Sequence, residues 1–161
     1  MKMFGKNGDQ NIDQAQGLLK EQLEKDWSPV RIVYRAFLQD FGWLPEAVEG
    51  TTAGKPGAGK RLEAVRIKLQ NAPQGASVKY IVHVADKGWL PAVEDDAVGG
   101  TTGESRRAEA VKIRLTGCEG YGVYYRVFMQ GKGWSGWCSN GQLAGTTGES
   151  RQIEAIEIYM E

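Results

Sequence analysis

Gly133-Trp134-Ser135-Gly136-Trp137-Cys138-Ser139-Asn140-Gly141-Gln142-Leu143-Ala144-Gly145-Thr146-Thr147-Gly148-Glu149-Ser150-Arg151-Gln152-Ile153-Glu154-Ala155-Ile156 is the last of three versions of one segment. With Trp43, Trp89 and Trp134 in register, the next twenty residues align without a gap and end at Glu63, Glu109 and Glu154. The tryptophans are 46 and 45 residues apart. Gly54, Gly100 and Gly145 match, as do Gly57, Gly103 and Gly148, and the segments close on Glu63-Ala64-Val65, Glu109-Ala110-Val111 and Glu154-Ala155-Ile156. A period in this range marks a copied supersecondary unit. Residues present in all three copies build the unit, whereas a residue found in one copy is free for another task.

Outward from this segment, each copy opens and closes with strict alternation. Ile32, Tyr34, Ala36 and Leu38 correspond to Val78, Tyr80, Val82 and Val84, and to Val123, Tyr125, Val127 and Met129. The closing runs are Val65, Ile67, Leu69; Val111, Ile113, Leu115; and Ile156, Ile158, Met160, with mostly charged residues between them. Period two with β-branched and aromatic residues predicts strands with one face buried. Between the long strands Asn140-Gly141 favours positive φ at both turn positions and predicts a short hairpin. Each copy therefore reads long strand, short hairpin, glycine loop, long strand, or about twelve strands in three copies.

A three-fold all-β chain has few ways to bury its edges. The expected fold is a pseudo-three-fold β-prism with a central tryptophan in each copy. A β-trefoil is the alternative, and a propeller, which normally needs four or more blades, ranks third. The expected organisation is a helical segment over 1–27 and a β domain over 28–161, with repeats at about 28–72, 76–117 and 121–161. Ile12, Ala15, Leu19 and Leu23 share one face of the predicted helix, and Pro29 blocks its extension.

Composition narrows the function classes. The 161 residues carry 20 basic and 20 acidic side chains, so the overall electrostatic footprint of a nucleic-acid binder is absent. Glycine, at 22 residues, is about twice as frequent as usual, which points to many tight turns. No apolar run is long enough for a membrane-spanning helix, and Met1-Lys2-Met3-Phe4-Gly5-Lys6 lacks the apolar stretch of a signal peptide. Cys118 and Cys138 could form one bridge, but Cys138 matches Val93 and Ala47, so packed thiols are the simpler reading.

Motifs that suggest chemistry weaken under internal comparison. Gly54-Lys55-Pro56-Gly57-Ala58-Gly59-Lys60 matches a phosphate-binding loop, but Arg61 takes the place of the magnesium-binding hydroxyl and a strand follows instead of a helix. His83 is the only histidine and aligns with Phe37 and Phe128, so a packed ring is expected and a His-rich metal site is excluded. Glu63, Glu109 and Glu154 recur beside Arg61/Arg107 and Lys60/Arg106/Arg151. Three copies of one acid and base set read as a structural bracket between loop and strand, not as catalytic groups. Trp43, Trp89 and Trp134 read as core pillars for the same reason. Trp137 differs, because its counterparts are Glu46 and Ala92. It is the candidate exposed aromatic for stacking on a ligand.

Hydrophobic strand, Gly-Trp, a second Trp three positions on, Gly-x3-Gly-Thr-x-Gly and a closing Glu-Ala-Ile-x-Ile resemble the clostridial hydrophobic repeat with conserved tryptophan, the ChW repeat. The third copy fits best, with Gly133-Trp134, Trp137, Gly141, Ala144-Gly145-Thr146-Thr147-Gly148 and Ile153-Glu154-Ala155-Ile156-Glu157-Ile158. The second has Gly88-Trp89, His83 and Gly99-Gly100-Thr101-Thr102-Gly103 but Ala92 for the second tryptophan, and the first replaces the threonines with Lys55 and Pro56. The resemblance covers about residues 30–161. It implies a secreted or surface module of Gram-positive bacteria that binds polysaccharide or protein.

The leading expectation is a non-catalytic carbohydrate-binding module in the manner of a prism lectin. Trp137, Asn140, Thr146, Thr147, Glu149, Arg151, Thr101, Thr102 and Glu104 are its candidate ligand-binding residues. Its partner would be a glycan or surface polysaccharide, with no metal, cofactor, nucleic acid or membrane insertion. The alternative is a protein-interaction or assembly module that docks or self-associates through the N-terminal helix. A hydrolase ranks third.

Overall fold

In each repeat the chain runs up a long strand, turns back twice in two-residue strands, crosses a glycine loop and returns along a second long strand. The computed structural model describes residues 14–17 and 30–161. The first repeat contributes β1 (Arg31–Leu38), β2 (Gly42–Trp43), β3 (Ala47–Val48), β4 (Ala53–Gly54) and β5 (Leu62–Gln70). The second contributes β6 (Ser77–Val84), β7 (Gly88–Trp89), β8 (Val93–Glu94), β9 (Gly99–Gly100) and β10 (Ala108–Thr116). The third contributes β11 (Val123–Met129), β12 (Gly133–Trp134), β13 (Cys138–Ser139), β14 (Ala144–Gly145) and β15 (Ile153–Met160). Among the described residues there are thus fifteen strands, not about twelve. The difference is the Gly-Trp dipeptide, which folds back to pair with the end of the first long strand (Phe37 with Trp43, His83 with Trp89, Phe128 with Trp134).

The strands form three antiparallel five-stranded sheets in a three-fold, β-prism-like arrangement. The first sheet has the order β2-β1-β5-β9 with β3 also on β1; the second, β14-β10-β6-β7 with β8 on β6; the third, β12-β11-β15-β4 with β13 on β11. The glycine strand of each repeat is given away: β4 joins the third sheet, β9 the first and β14 the second. The donation runs in one cyclic sense and closes on itself. No repeat completes its own sheet.

The joint lies at the recurrent glutamate. Register along the long pair shifts at Glu63, Glu109 and Glu154, each of which is the extra residue of a β-bulge. Its carbonyl accepts the N–H of the residue after the donated glycine: Thr101 to Glu63 at 3.1 Å, Thr146 to Glu109 at 3.0 Å and Lys55 to Glu154 at 3.1 Å. Gly54, Gly100 and Gly145 sit at φ of +114°, +99° and +107° against this bulge. A β-carbon at any of them would overlap the same carbonyl. Only glycine satisfies both constraints.

The core is made by the inward alternating residues, with Tyr34, Tyr80 and Tyr125 its largest fully buried side chains. The tryptophans of the Gly-Trp pairs do not occupy it, contrary to expectation. Trp43, Trp89 and Trp134 are half-buried on the outward faces. Each ring meets Phe37, His83 or Phe128 edge-on, with centroids 5.3, 5.2 and 5.5 Å apart. Pairing the tryptophan opposite an outward residue of the first strand puts it on the outer side.

Asn140 and Gly141 hold φ of +25° and +90°, as the turn reading required. Both thiols are free, with Cys118 buried. Residues 14–17 are helical and exposed; the rest of the predicted N-terminal helix lies outside the described residues. No helix among the described residues is long and apolar enough to cross a membrane.

Candidate functional site

The outer face of the third sheet carries the densest aromatic cluster. Trp137 lies on the loop between β12 and β13, and the indole is 44% exposed. Alternation along β11 turns Tyr124 and Arg126 to this face, and alternation along β15 does the same for Glu157 and Tyr159. The Arg126 guanidinium sits 4.5 Å from the Trp134 ring centroid and 4.6 Å from that of Trp137. Tyr159 meets Trp137 edge-on at 4.9 Å and stacks on Tyr124 at 5.0 Å.

Arg126 is oriented from below. Its Nε donates to Glu157 Oε1 at 2.9 Å, and its Nη2 lies 2.8 Å from the same oxygen. Thr52, from the hairpin of the first repeat, donates its hydroxyl to Glu157 Oε2 at 2.5 Å. Glu157 is buried, so the cation is held by a charge-assisted bond shielded from water. Cation–π contacts of about 0.5–2 kcal/mol each then fix the two indoles. An indole fixed this way loses little freedom when a ligand covers it.

The other residues named from sequence divide between two regions. Thr146 donates its N–H to the Glu109 carbonyl on the second sheet, whereas Glu149 and Arg151 bond Lys132 and the Gln130 carbonyl at the β11–β12 turn of the third. Thr101 and Thr146 have buried hydroxyls with no hydrogen-bond partner among the described residues. Asn140 Oδ1 accepts from Leu115 N–H at 3.1 Å and serves the turn. Glu104 pairs with Lys87 and Arg106 at 2.9 and 3.2 Å, and Glu149 with Lys132 and Arg151 at 3.1 and 3.4 Å. Hydrogen bonds from Lys87 and Lys132 hold these carboxyls below the usual range. Thr102 and Thr147 are both exposed. Tyr124, Arg126, Glu157 and Tyr159 were missed from sequence. The usable signal was that Tyr124 and Tyr159 occur in one copy only, against Val33/Lys79 and Lys68/Arg114.

The recurrent carboxylates form structural brackets. Glu63 pairs with Arg61 at 3.0 Å, and Glu109 with Arg107 at 2.9 Å and His83 Nδ1 at 3.0 Å. Glu154 accepts from Gln152 Nε2 at 2.9 Å and from the Gly57 N–H of the first repeat at 3.0 Å. Lys60, Arg106 and Arg151 bond elsewhere, Lys60 to Asp40 at 2.6 Å. No group of three or more His, Cys, Asp or Glu able to hold a metal ion occurs among the described residues.

The family model described as Clostridial hydrophobic W matches the chain three times, at 37–71, 83–117 and 128–161. The chain belongs to the ChW family. No curated protein and no solved structure matches it. Within a ChW repeat the Gly-Trp pair and the closing glutamate are explained by the outer-face indole and the bulge at which a neighbour's strand is received. Trp137 is the second tryptophan of the repeat, and the third copy alone keeps it.

Proposed function

We propose that the protein is a non-catalytic module that binds polysaccharide through the outer face of its third sheet. The observation that carries this reading is the half-exposed Trp137 indole, braced by Arg126 on one side and Tyr159 on another. Sugar rings present an apolar C–H face and a rim of hydroxyls. An anchored indole meets the first, and the adjacent Tyr159 and Tyr124 hydroxyls offer hydrogen bonds to the second. Each such site is weak alone, and a repeating polymer compensates by offering many copies of its unit.

A glycan array probed with the intact protein and with Trp137→Ala tests the reading. A polysaccharide bound by the intact protein and lost at least about tenfold in the variant supports it. A flat array from well-folded protein, or binding indifferent to Trp137→Ala, overturns it.

A further inference from the structure

The three outer faces occupy equivalent positions, yet their charges are balanced differently. On the first sheet Arg66 is paired with Asp96, supplied by the hairpin of the second repeat, at 2.8 Å, and Lys68 with Glu46 at 3.3 Å. On the third sheet the same two positions hold Glu157, which neutralises Arg126, and Tyr159, which packs on Trp137. On both faces these two positions are paired or packed by a neighbour, although among the described residues Arg35 of the first face has only the Leu44 carbonyl and the Trp43 ring.

On the second sheet these positions are Lys112 and Arg114, and both counter-charges are gone. Ala92 stands where the first sheet has Glu46 and the third has Trp137. Gly141 stands where the first sheet has Asp96, and the Arg114 guanidinium lies 3.5 Å from where a β-carbon on Gly141 would sit. The two small residues leave a groove of about 340 Å3 lined by Lys79, Ile81, Ala92, Lys112, Arg114 and Gly141, with Tyr80 and Ile113 below. Lys79 reaches only Glu94, at 3.8 Å, and both side chains are more than half exposed. Lys112 Nζ rests 4.8 Å from the Trp89 ring centroid. Among the described residues no carboxylate lies within ion-pair distance of Lys112 or Arg114.

We propose that this groove binds an oxyanion, carboxylate or phosphate, borne on a saccharide. Three cations converge on a space of small-molecule size, at the position where the neighbouring faces supply their own acid or aromatic filling. The Arg114 guanidinium offers a fork of donors to a carboxylate or phosphate, and Lys79 and Lys112 add point charges. The apolar floor of Ile81 accommodates a ring. The anion site stands on the second sheet's own residues; that a sugar carries the anion rests on the polysaccharide reading above.

The test is an amide NMR titration of the full chain at low salt with trigalacturonate, inorganic phosphate and neutral maltotriose. Expected are shifts at Ile81, Ala92 and Gly141 with one or both anions and none with maltotriose, and an affinity that falls as salt is added. A trigalacturonate response alone identifies a carboxylate source, and a phosphate response a phosphate source. Arg114→Gln should weaken binding at least about tenfold, and Ala92→Trp, which fills the groove as Trp137 does in the third repeat, should abolish it. Trp137→Ala should leave these shifts unchanged, which separates this site from the aromatic one. No shift with either anion, equal response to maltotriose, or wild-type affinity in both Arg114→Gln and Ala92→Trp would overturn the proposal.

Discussion

The hydroxyl of Tyr34 accepts a hydrogen bond from the backbone N–H of Ile158, 124 residues away, at 3.1 Å. The same hydroxyl donates to the carbonyl of Thr51. Tyr80 repeats this with Ile67 N–H at 3.2 Å and the Ala97 carbonyl, and Tyr125 with Ile113 and the Gln142 carbonyl. Each tyrosine thus ties its own hairpin to the returning strand of the preceding repeat, and the first is tied to the last. The hairpin turn joins the same clasp through Gly50, Asp96 and Gly141, whose N–H groups reach Ile158, Ile67 and Ile113 carbonyls at 2.7 Å.

Replacing Tyr34 with Phe removes the acceptor for the buried Ile158 N–H and the donor to the Thr51 carbonyl while keeping the ring. The expected cost is about 1–3 kcal/mol, read as a lower urea midpoint with an unchanged m-value. Tyr80→Phe should cost a similar amount, since its clasp is equivalent. An unaltered midpoint in both would show that the clasp contributes nothing.

The same burial predicts alkaline instability. Desolvation pushes Tyr34 and Tyr80 up to about 12 and raises Tyr125 as well, whereas an unfolded tyrosine ionises near 10. The folded state disfavours the phenolate, so the stabilisation is complete below about pH 10 and is lost as pH rises toward 12. Tyr34 and Tyr80 each contribute a slope of up to about 1.4 kcal/mol per pH unit in that window. Urea midpoints should therefore fall steeply above about pH 10, with a shallower fall in Tyr34→Phe.

Gly145, at the end of β14, and Gly148, in the loop that follows, share a positive φ, +107° and +76°, but differ in surroundings. A β-carbon at Gly145 meets the Glu109 carbonyl and Ala110, whereas one at Gly148 meets nothing within 4 Å. Gly148→Ala should cost about 1–2 kcal/mol of backbone strain. Gly145→Ala should cost more, by pushing β14 off the second sheet. Differential scanning calorimetry of the two variants gives the comparison, and equal melting temperatures would contradict the close-approach argument.

Removing residues 121–161 tests the cyclic exchange. The truncated chain would keep two intact hairpins, yet β10 would lose β14 and β4 would lose β15. A chain whose repeats complete one another should fail to fold, giving an amide NMR spectrum collapsed into the random-coil range. A dispersed spectrum from residues 1–120 would mean that neighbouring repeats suffice.

Much of this architecture was legible because triplication is itself a comparison. Tyr34, Tyr80 and Tyr125 fell in the inward register of their strands, and Asn140-Gly141 announced its turn. The tryptophans were harder. Their bulk argued for the core, but the tight return after β1, β6 and β11 pairs them opposite an outward position. For the candidate site, Trp137 was identified by its failure to recur. Tyr124 and Tyr159 obeyed the same rule and were passed over, because outward alternation read only as a solvated side.

What the letters alone determined is the unit: its period, its strands, which face of each is apolar, and where only glycine fits the turn. These follow from local sterics and from side-chain periodicity, which act within a few residues. Which sheet receives each glycine strand was decided by the tertiary structure, since Ala53-Gly54, Gly99-Gly100 and Ala144-Gly145 are locally alike and could pair with their own long strands or a neighbour's. Only the joint packing of three repeats around the buried tyrosines selects the neighbour. That choice brings Gly141 beside Arg114 and Thr52 onto Glu157, contacts between repeats that no reading of one repeat contains.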